Sequence, residues 1–238
     1  MLRKSPLTGR SWLPSEHCQQ LDRARCATVY FVRHGTTGYN LEGRWQGEIN
    51  TELAPQGIEE ATAAARAFTD QGVSFDAAYC SDLNRAHHTA KILSQPHDLV
   101  PTPCRALREP CLGEFEGLHK TVIHGEKYKH IFDKLQQLPH QDRINASYFD
   151  GLETPQQTSD RVVAFLRDTV VPNHGGQVVM LVTHSQVIES ILAVLRGDFF
   201  EGISMRRLAW IRCLADPEGN VVFEHLDGFK FSDQLSLK

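Results

Sequence analysis

The sequence predicts an α/β domain of three layers, with a mostly parallel central sheet between helices on both of its faces. Short apolar runs rich in β-branched and aromatic residues alternate along the chain with segments whose apolar residues recur at helical spacing. No Pro-, Gly- or Ser-rich linker and no internal repeat interrupts this alternation. We therefore expect one domain over residues 27–238, preceded by a mobile N-terminal extension over residues 1–26.

Two of the apolar runs have the composition of strands that are buried on both faces. They are residues 27–32 (ATVYFV) and 177–182 (QVVMLV), and continuous runs of this kind are typical of parallel sheets covered by helices. The predicted strands are residues 27–32, 75–80, 177–182, 208–214 and 221–225. The last two flank Asp216-Pro-Glu-Gly219, which is typical of a type I turn, so they predict a closing hairpin.

Other segments place their apolar residues on one face at helical spacing. The predicted helices are residues 55–68, 83–93, 158–170 and 187–195. Pro55 stands in the first turn of the first helix, and Gly72 and Gly197 stand just past the ends of the first and the last. The less regular stretch from about 119 to 150 predicts a helical excursion over the active edge of the sheet.

Composition and charge narrow the classes of function. The chain has 238 residues, and 25 Lys and Arg stand against 29 Asp and Glu, so the formal net charge is −4. This balance disfavours the broad basic surface that binds nucleic acid, and no apolar run approaches the roughly 18–20 residues of a membrane span. The cysteines show no CxxC pair and no disulfide-dense spacing, which predicts reduced thiols and a cytoplasmic protein. The choice between a monomer and a homo-oligomer stays open.

Each of the two most apolar runs leads into a histidine. The first continues as Arg33-His34-Gly35 and the second as Thr183-His184. In open α/β sheets, ligands bind outside the carboxyl ends of the strands, so the two imidazoles face one crevice if both strands are central. A lone histidine at a strand end is more often a hydrogen-bonded structural residue. The adjacent arginine and glycine nevertheless favour an anion site.

The chemistry of a neutral imidazole suits a phosphate site. It can attack a phosphoryl group in line and form a phosphohistidine that water then hydrolyses. We assign this role to His34, with one ring nitrogen free and the other donating to a backbone carbonyl. The transferred group spreads negative charge over three oxygens, and the planar fork of Arg33 suits them.

Further motifs resemble the histidine phosphatase superfamily, which includes the cofactor-dependent phosphoglycerate mutases. The matching residues, in order, are Arg33-His34-Gly35-Thr36-Thr37, Asn40, Gly43-Arg44, Gln46-Gly47, Ser81-Asp82-Leu83, Arg85-Ala86, Thr89-Ala90, Leu107, Glu109, Gly113-Glu114-Phe115-Glu116-Gly117, Gly151, Glu153-Thr154 and Thr183-His184. An Arg-His-Gly tripeptide alone occurs by chance, whereas five ordered motifs over about residues 27–200 are specific.

The resemblance implies roles for individual residues. The implied phosphate-binding residues are Arg33, Asn40, Gln46 and Arg85, and the implied catalytic residues are His34, Glu109 and His184. Glu109 would protonate the leaving alkoxide and later take a proton from water. Glu114, Glu116 and Glu153 are alternative candidates for the general acid and base.

The chain departs from the family pattern after both histidines. Thr36 stands where an acidic or amide residue is usual, and we expect little effect because this side chain is not a pocket ligand. Ser185-Gln186 replaces a pair that contains glycine, and a glycine there lets a backbone N–H approach phosphate. Since serine also presents its N–H, we expect a change in fine geometry and not in the reaction.

We predict a phosphatase that needs neither metal nor cofactor and acts on a small phosphorylated metabolite. The first alternative is a phosphotransferase of the phosphoglycerate mutase type. Those enzymes carry an Arg-Arg pair that binds the substrate carboxylate, and residues 119–150 contain no such pair. The Arg-Arg pair of this chain, Arg206-Arg207, lies after the last histidine. The second alternative, a catalytically silent binding domain, is disfavoured because the pocket residues are all present.

The many histidines and lysines allow two further hypotheses. A metal site would need HExxH, paired carboxylates or a Cys/His cluster at ligand spacing, and the sequence has none of these. Lys120, Lys127, Lys129 and Lys134 form either a cationic lid or a solvated helix face, and neither reading is preferred.

Overall fold

The computed structural model describes residues 22–196 and 203–231 together with the short segments 3–4 and 11–12. A six-stranded sheet with helices on both faces forms its centre, which confirms the predicted fold class. Among these residues, no helix is both long and apolar enough to cross a membrane. The cytoplasmic location stays a prediction.

Strands and helices alternate along the chain as predicted. The strands are β1 (Arg3–Lys4), β2 (Ser11–Trp12), β3 (Ala27–Arg33), β4 (Ala77–Cys80), β5 (Thr102–Pro103), β6 (Val178–Thr183), β7 (Ile203–Ala215) and β8 (Val221–Phe231). The α-helices are α1 (Gly38–Leu41), α2 (Pro55–Asp70), α3 (Asn84–Ser94), α4 (Lys120–Ile123), α5 (Glu126–Gln137), α6 (His140–Arg143), α7 (Pro155–Phe165), α8 (Val171–His174) and α9 (Ser185–Arg196). Short 3₁₀ segments lie at Gln95–His97, Arg105–Leu107 and Gly113–Phe115, and Leu166–Val170 form a π-helical turn.

The predicted N-terminal extension is described in part. β1 and β2 form an antiparallel pair that is separate from the main sheet. The remaining residues before position 22 lie outside the described part of the chain, so the mobility expected of this segment stays a prediction.

The order of strands in the main sheet is β5-β4-β6-β3-β7-β8. β5, β4, β6 and β3 run parallel, whereas β7 and β8 are antiparallel to their neighbours. β3 and β6 therefore lie side by side in the middle of the sheet. Arg33 is opposite Thr183 in this register, so His34 and His184 leave the sheet at the same edge.

Both faces of the sheet are buried because the side chains of each strand alternate between them. Val29 and Phe31 of β3 belong to the core cluster that also contains Ile188 of α9. Tyr30 and Val32 belong to the cluster on the opposite face, which packs on α2 and α3. The apolar runs are continuous since each residue in them faces a core.

Some predicted boundaries shift by a few residues. α7 begins at Pro155 and not at 158, because the hydroxyl of Thr154 accepts from the N–H of Gln157 while the Gln157 side chain accepts from the N–H of Thr154. The predicted hairpin is confirmed, and its strands β7 and β8 are longer than expected. Gly197, the predicted stop of the last helix, lies outside the described residues.

The excursion between residues 119 and 150 is helical, as predicted, and contains α4, α5 and α6. An aromatic cluster attaches it to the rest of the domain. The cluster contains Trp45, Phe115, Tyr128, Phe132, Tyr148 and Phe149. Phe115 stacks on Phe132 with ring centroids 5.7 Å apart, and Trp45 contacts Phe115 edge-on at 5.6 Å. This packing holds the excursion against the loop that follows β3.

Two glycines let the loop after β3 pack closely on the start of α2. A Cβ at Gly57 would lie 2.1 Å from the carbonyl oxygen of Thr36, and a Cβ at Gly35 would lie 2.7 Å from the carbonyl oxygen of Gly57. Neither distance is compatible with the present backbone. The turn that carries His34 therefore rests on α2 through direct backbone contact.

We expect Gly57→Ala to lower the free energy of unfolding by about 1–3 kcal/mol, because the added methyl group overpacks the backbone of Thr36. Gly38→Ala is the matched control, since a Cβ at Gly38 meets nothing within 4 Å. Urea unfolding of both variants and of the wild type measures the difference. Equal stability of Gly57→Ala and the wild type would contradict the tight contact.

Candidate active site

The two strand-end histidines meet at the carboxyl edge of the sheet. The ring centroids of His34 and His184 are 5.1 Å apart. Both side chains are buried, with exposed fractions of 3% and 0%. The parallel pairing of β3 with β6 brings together two residues that are far apart in the sequence.

The ring of His34 is held in one tautomer. Its Nδ1 lies 2.7 Å from the carbonyl oxygen of Gly35, so Nδ1–H donates there and Nε2 keeps its lone pair. The described part of the chain offers Nε2 no hydrogen-bond partner. Burial, together with the charges of Arg85 and Arg33, holds the pKa of His34 well below its usual value. The ring is therefore neutral at neutral pH and presents a free nitrogen.

Arg33 and Arg85 line the same cavity. Arg85 donates to the carbonyls of Ile49 and Gly47 at 2.8 and 2.7 Å, and Arg33 donates to the carbonyl of Met205. Burial lowers the pKa of Arg85 to about 10, which leaves it charged at neutral pH. The Nε of each guanidinium is buried without a partner among the described residues. Each arginine is thus oriented by the backbone and keeps one N–H for an anion.

His184, Asn40 and Gln46 contribute further polar atoms. Both ring nitrogens of His184 are buried and have no partner in the described part of the chain. The side-chain oxygen of Asn40 accepts from the N–H of Thr37 at 3.2 Å, and that of Gln46 accepts from the hydroxyl of Thr37 at 3.0 Å. Since the oxygen ends of both amides are occupied, their NH₂ ends are available as donors to the cavity that they line.

Glu109 lines this cavity as well and is 7% exposed. Its Oε1 accepts from the N–H of Gln186 at 3.4 Å, and its Oε2 is buried without a partner among the described residues. Burial raises the pKa of Glu109 above its usual value, although the charges of Arg85 and Arg33 act in the opposite direction. A carboxyl with a raised pKa is suited to hold a proton for a leaving group.

The three rival carboxylates lie outside the cavity and make structural contacts. Glu116 accepts from two backbone N–H groups at 3.0 and 2.9 Å, and Glu114 is exposed. Glu153 pairs with Arg161 at 2.7 Å. Arg161 also donates to two backbone carbonyls of the segment that carries Glu109. Glu153 therefore helps to position Glu109.

The cavity has a volume of about 380 Å³ and reaches side chains that the sequence did not single out for the site. They are Arg44, Trp45, Lys120, Tyr148, Glu189 and Arg207. Lys120 belongs to the lysine-rich stretch that suggested a cationic lid. Two other lysines of this stretch are exposed: Lys127 lies over the ring of Tyr128, and Lys129 pairs with Asp133 at 2.5 Å.

Both departures from the family pattern have a visible structural role. The N–H and the hydroxyl of Thr36 donate to the carboxylate of Glu60 on α2 at 3.0 and 2.9 Å. Ser185 begins α9 and lines the cavity. The next residue, Gln186, donates its N–H to Glu109. A backbone N–H still enters the site, and in this structure it binds the carboxyl group.

The described residues contain no group of three or more His, Cys, Asp or Glu side chains that could hold a metal ion. His87 and His88 are neighbours on α3, where adjacent side chains point in different directions. The polar residues around His34 are instead mostly nitrogen donors, which suit an anion.

Comparison with known proteins shows the family of this chain. Residues 29–222 match the family model of the histidine phosphatase superfamily, branch 1. A 2,3-bisphosphoglycerate-dependent phosphoglycerate mutase from Rhizobium etli is 31% identical over 76% of this chain and 85% of the relative.

Two solved structures are similar in fold and share a quarter of their residues with this chain. Bacillus stearothermophilus YhfR has a TM-score of 0.70 and 25% identity, over 85% of this chain and 96% of the other. A mycobacterial glucosyl-3-phosphoglycerate phosphatase has a TM-score of 0.68 and 25% identity, over 84% of this chain and 97% of the other.

Glu189 on α9 is a second carboxyl group in the cavity. Burial raises its pKa to about 7, and the charge of Glu109 adds to this effect while that of Arg33 opposes it. At low pH the carboxyl is protonated in folded and unfolded chains alike. As the pH rises from about 4 to 7, the unfolded chain ionises first, so stability is lost over this window.

We expect Glu189→Gln to be more stable than the wild type by about 1–3 kcal/mol at pH 8 and equally stable near pH 4. The amide stays neutral at every pH, so it avoids the cost of a buried carboxylate. Glu59→Gln, at an exposed position of α2, is the control for the same substitution on the surface. Urea unfolding across the pH range measures both variants. A stability difference that does not change with pH would contradict the raised pKa.

Proposed function

Since the chain belongs to the histidine phosphatase superfamily, we propose that it hydrolyses phosphate monoesters of small metabolites through a phosphohistidine formed on His34. The observation that carries this proposal is the free Nε2 of a neutral, buried imidazole. Around it lie buried nitrogen atoms of Arg33, Arg85 and His184 that have no partner among the described residues. A phosphoryl group would supply acceptors for the N–H groups of the two arginines and for the single N–H of a neutral His184.

In the first step, Nε2 of His34 attacks phosphorus while the bond from phosphorus to the ester oxygen breaks. Glu109 gives its proton to the departing alkoxide and becomes a carboxylate. Arg33 and Arg85 face the charge that develops on the phosphoryl oxygens, and they need no reorganisation because backbone carbonyls already orient them.

In the second step, water attacks phosphorus and gives a proton to the carboxylate of Glu109. The phosphorus–nitrogen bond breaks, and His34 leaves as a neutral imidazole with inorganic phosphate as the product. The enzyme thereby returns to its starting protonation state. Histidine is the nucleophile of the first step and water that of the second, so the proposed route requires no metal ion and no organic cofactor.

Phosphoglycerate mutase activity is the second candidate, and the 31% identity to the Rhizobium etli mutase favours it. A mutase must keep water from the phosphohistidine and hold a substrate carboxylate. Arg143 is the sole arginine of residues 119–150, and it donates to carbonyls of its own loop at 2.7 and 3.0 Å. It does not line the cavity, so the excursion lacks the arginine pair by which those mutases hold the substrate carboxylate, and hydrolysis is our first choice.

In excess EDTA, we expect the wild type to release phosphate from monoesters and His34→Ala to be slower by at least about 1,000-fold, because the nucleophile is lost. A panel of phosphoglycerates, sugar phosphates, phosphoserine and an aryl phosphate would be assayed. His130→Ala, at an exposed position of α5, is the control that keeps activity.

Three outcomes of this assay would contradict the proposal. Substantial turnover by His34→Ala would remove His34 as the nucleophile. Isomerisation of phosphoglycerate on addition of bisphosphoglycerate, without phosphate release, would replace the phosphatase with a mutase. No activity in either assay would indicate a binding domain.

We expect Glu109→Gln to slow alkyl phosphates by about 10²- to 10⁴-fold, since an alkoxide needs a proton to leave. An aryl phosphate, whose leaving group is stable without protonation, should lose less than about tenfold in its first step. Single-turnover release of the alcohol or phenol measures this step, with Glu114→Gln as the control at an exposed carboxylate. Equal slowing of both ester classes would exclude Glu109 as the acid.

A further inference from the structure

The adjacent arginines Arg206 and Arg207 lie in an irregular part of β7. The pairing of β7 with β8 shifts in register between Met205 and Trp210, which marks a bulge over residues 206–209, and it shifts again between Arg212 and Cys213. Within this bulge, Leu208 has a φ of 54°, a left-handed conformation that is rare for a branched residue. Its side chain is buried in the core, which fixes the conformation. Bulges of this kind re-aim neighbouring side chains.

The bulge sends the two arginines in different directions. Arg206 is exposed and forms an ion pair with Asp227 of β8. Arg207 lines the cavity that contains His34, and its Nε is buried without a hydrogen-bond partner among the described residues. The bulge is also tied to the phosphate pocket, because the carbonyl of Met205 accepts from Arg33.

Arg207 lines the cavity of His34 at a place that borders a second cavity. It also lines a neighbouring cavity beside α2, together with Glu60. Arg85 and Arg33 lower the pKa of His34 more than Arg207 does, which agrees with a longer distance from Arg207 to the nucleophile. Arg33 and Arg85 already serve the site of the transferred phosphoryl group, so the guanidinium of Arg207 is available for another part of the substrate.

We propose that Arg207 binds a second anionic group of the substrate, such as a carboxylate or a second phosphate. This proposal rests on the proposed function, because it requires that the phosphoryl group of the substrate lies at His34. A guanidinium with an unpaired N–H in a half-buried place is suited to bind an oxyanion in a fixed direction. The excursion places Lys120 but no arginine at the cavity, so the arginine that we assign to the second anion comes from β7.

Binding of two stable phosphonates tests this without any turnover. Methylphosphonate carries one anionic group, and phosphonoacetate carries the same group with a carboxylate one carbon away. Calorimetry at pH 8 would measure both dissociation constants for the wild type and for Arg207→Met. Arg206→Met is the matched control, since it removes the neighbouring charge outside the cavity. Arg207→Lys tests whether a positive charge at this position restores the preference.

We expect the wild type to bind phosphonoacetate about 10- to 100-fold more tightly than methylphosphonate, which is the usual effect of one hydrogen bond to a charged group. Arg207→Met should lose most of this preference, Arg206→Met should keep it, and Arg207→Lys should recover part of it. Thermal melting would show that each variant is folded.

Two results would overturn the assignment. Equal weakening of both phosphonates by Arg207→Met would place Arg207 on the transferred phosphoryl group. A preference that survives in Arg207→Met would place the second anion elsewhere. Failure of the proposed function would appear in a different assay, as a lack of phosphate release from every ester. The binding preference for phosphonoacetate is measured without turnover, so the two failures are distinguishable.

Discussion

The register between β3 and β6 is the constraint on which the site depends. Placing Arg33 opposite Thr183 sets His34 and His184 side by side where the two strands end. Because side chains alternate along a strand, a shift of one residue would exchange the two sets of β3 between the cores, so that Val29 and Phe31 would take the places of Tyr30 and Val32 beside α2 and α3. The two cores therefore hold the histidine pair in place, and the backbone contact of Gly57 with Thr36 supports the turn that follows.

Burial gives the site its electrostatic character. Loss of water and nearby arginine charge keep His34 neutral, while loss of water raises the pKa of Glu109. The same cavity can thus present a neutral nucleophile and a protonated acid beside charged guanidinium groups. Burial also lowers the stability of the fold, because nitrogen atoms of Arg33, Arg85 and His184 are buried without hydrogen-bond partners in the described part of the chain. This loss of stability is the cost of the arrangement. A bound phosphoryl group would offset this cost.

The sequence predicted the parts of the fold and site that local patterns encode. Continuous apolar runs located β3 and β6, and the residues after them located the histidine pair. Arg85 and Asn40 needed the resemblance, since nothing in helix or loop periodicity marks them. Glu189 and Arg207 were missed for different reasons. Glu189 is a charged residue within a largely apolar helix, where no motif marks it. Arg207 depends on a bulge whose backbone geometry leaves no periodic signal.

The most direct test is to identify which ring nitrogen carries phosphorus. The protein would be mixed with a ³²P-labelled ester and quenched rapidly. Protease digestion at alkaline pH would give the labelled peptide, and hydrolysis of that peptide in alkali would give the phosphohistidine isomers for separation. The bond from Nδ1 of His34 to the Gly35 carbonyl leaves Nε2 as the free nitrogen, so we expect Nε2-phosphohistidine in the peptide that contains His34. Label on Nδ1, or on a peptide that contains His184, would contradict the assignment of the nucleophile.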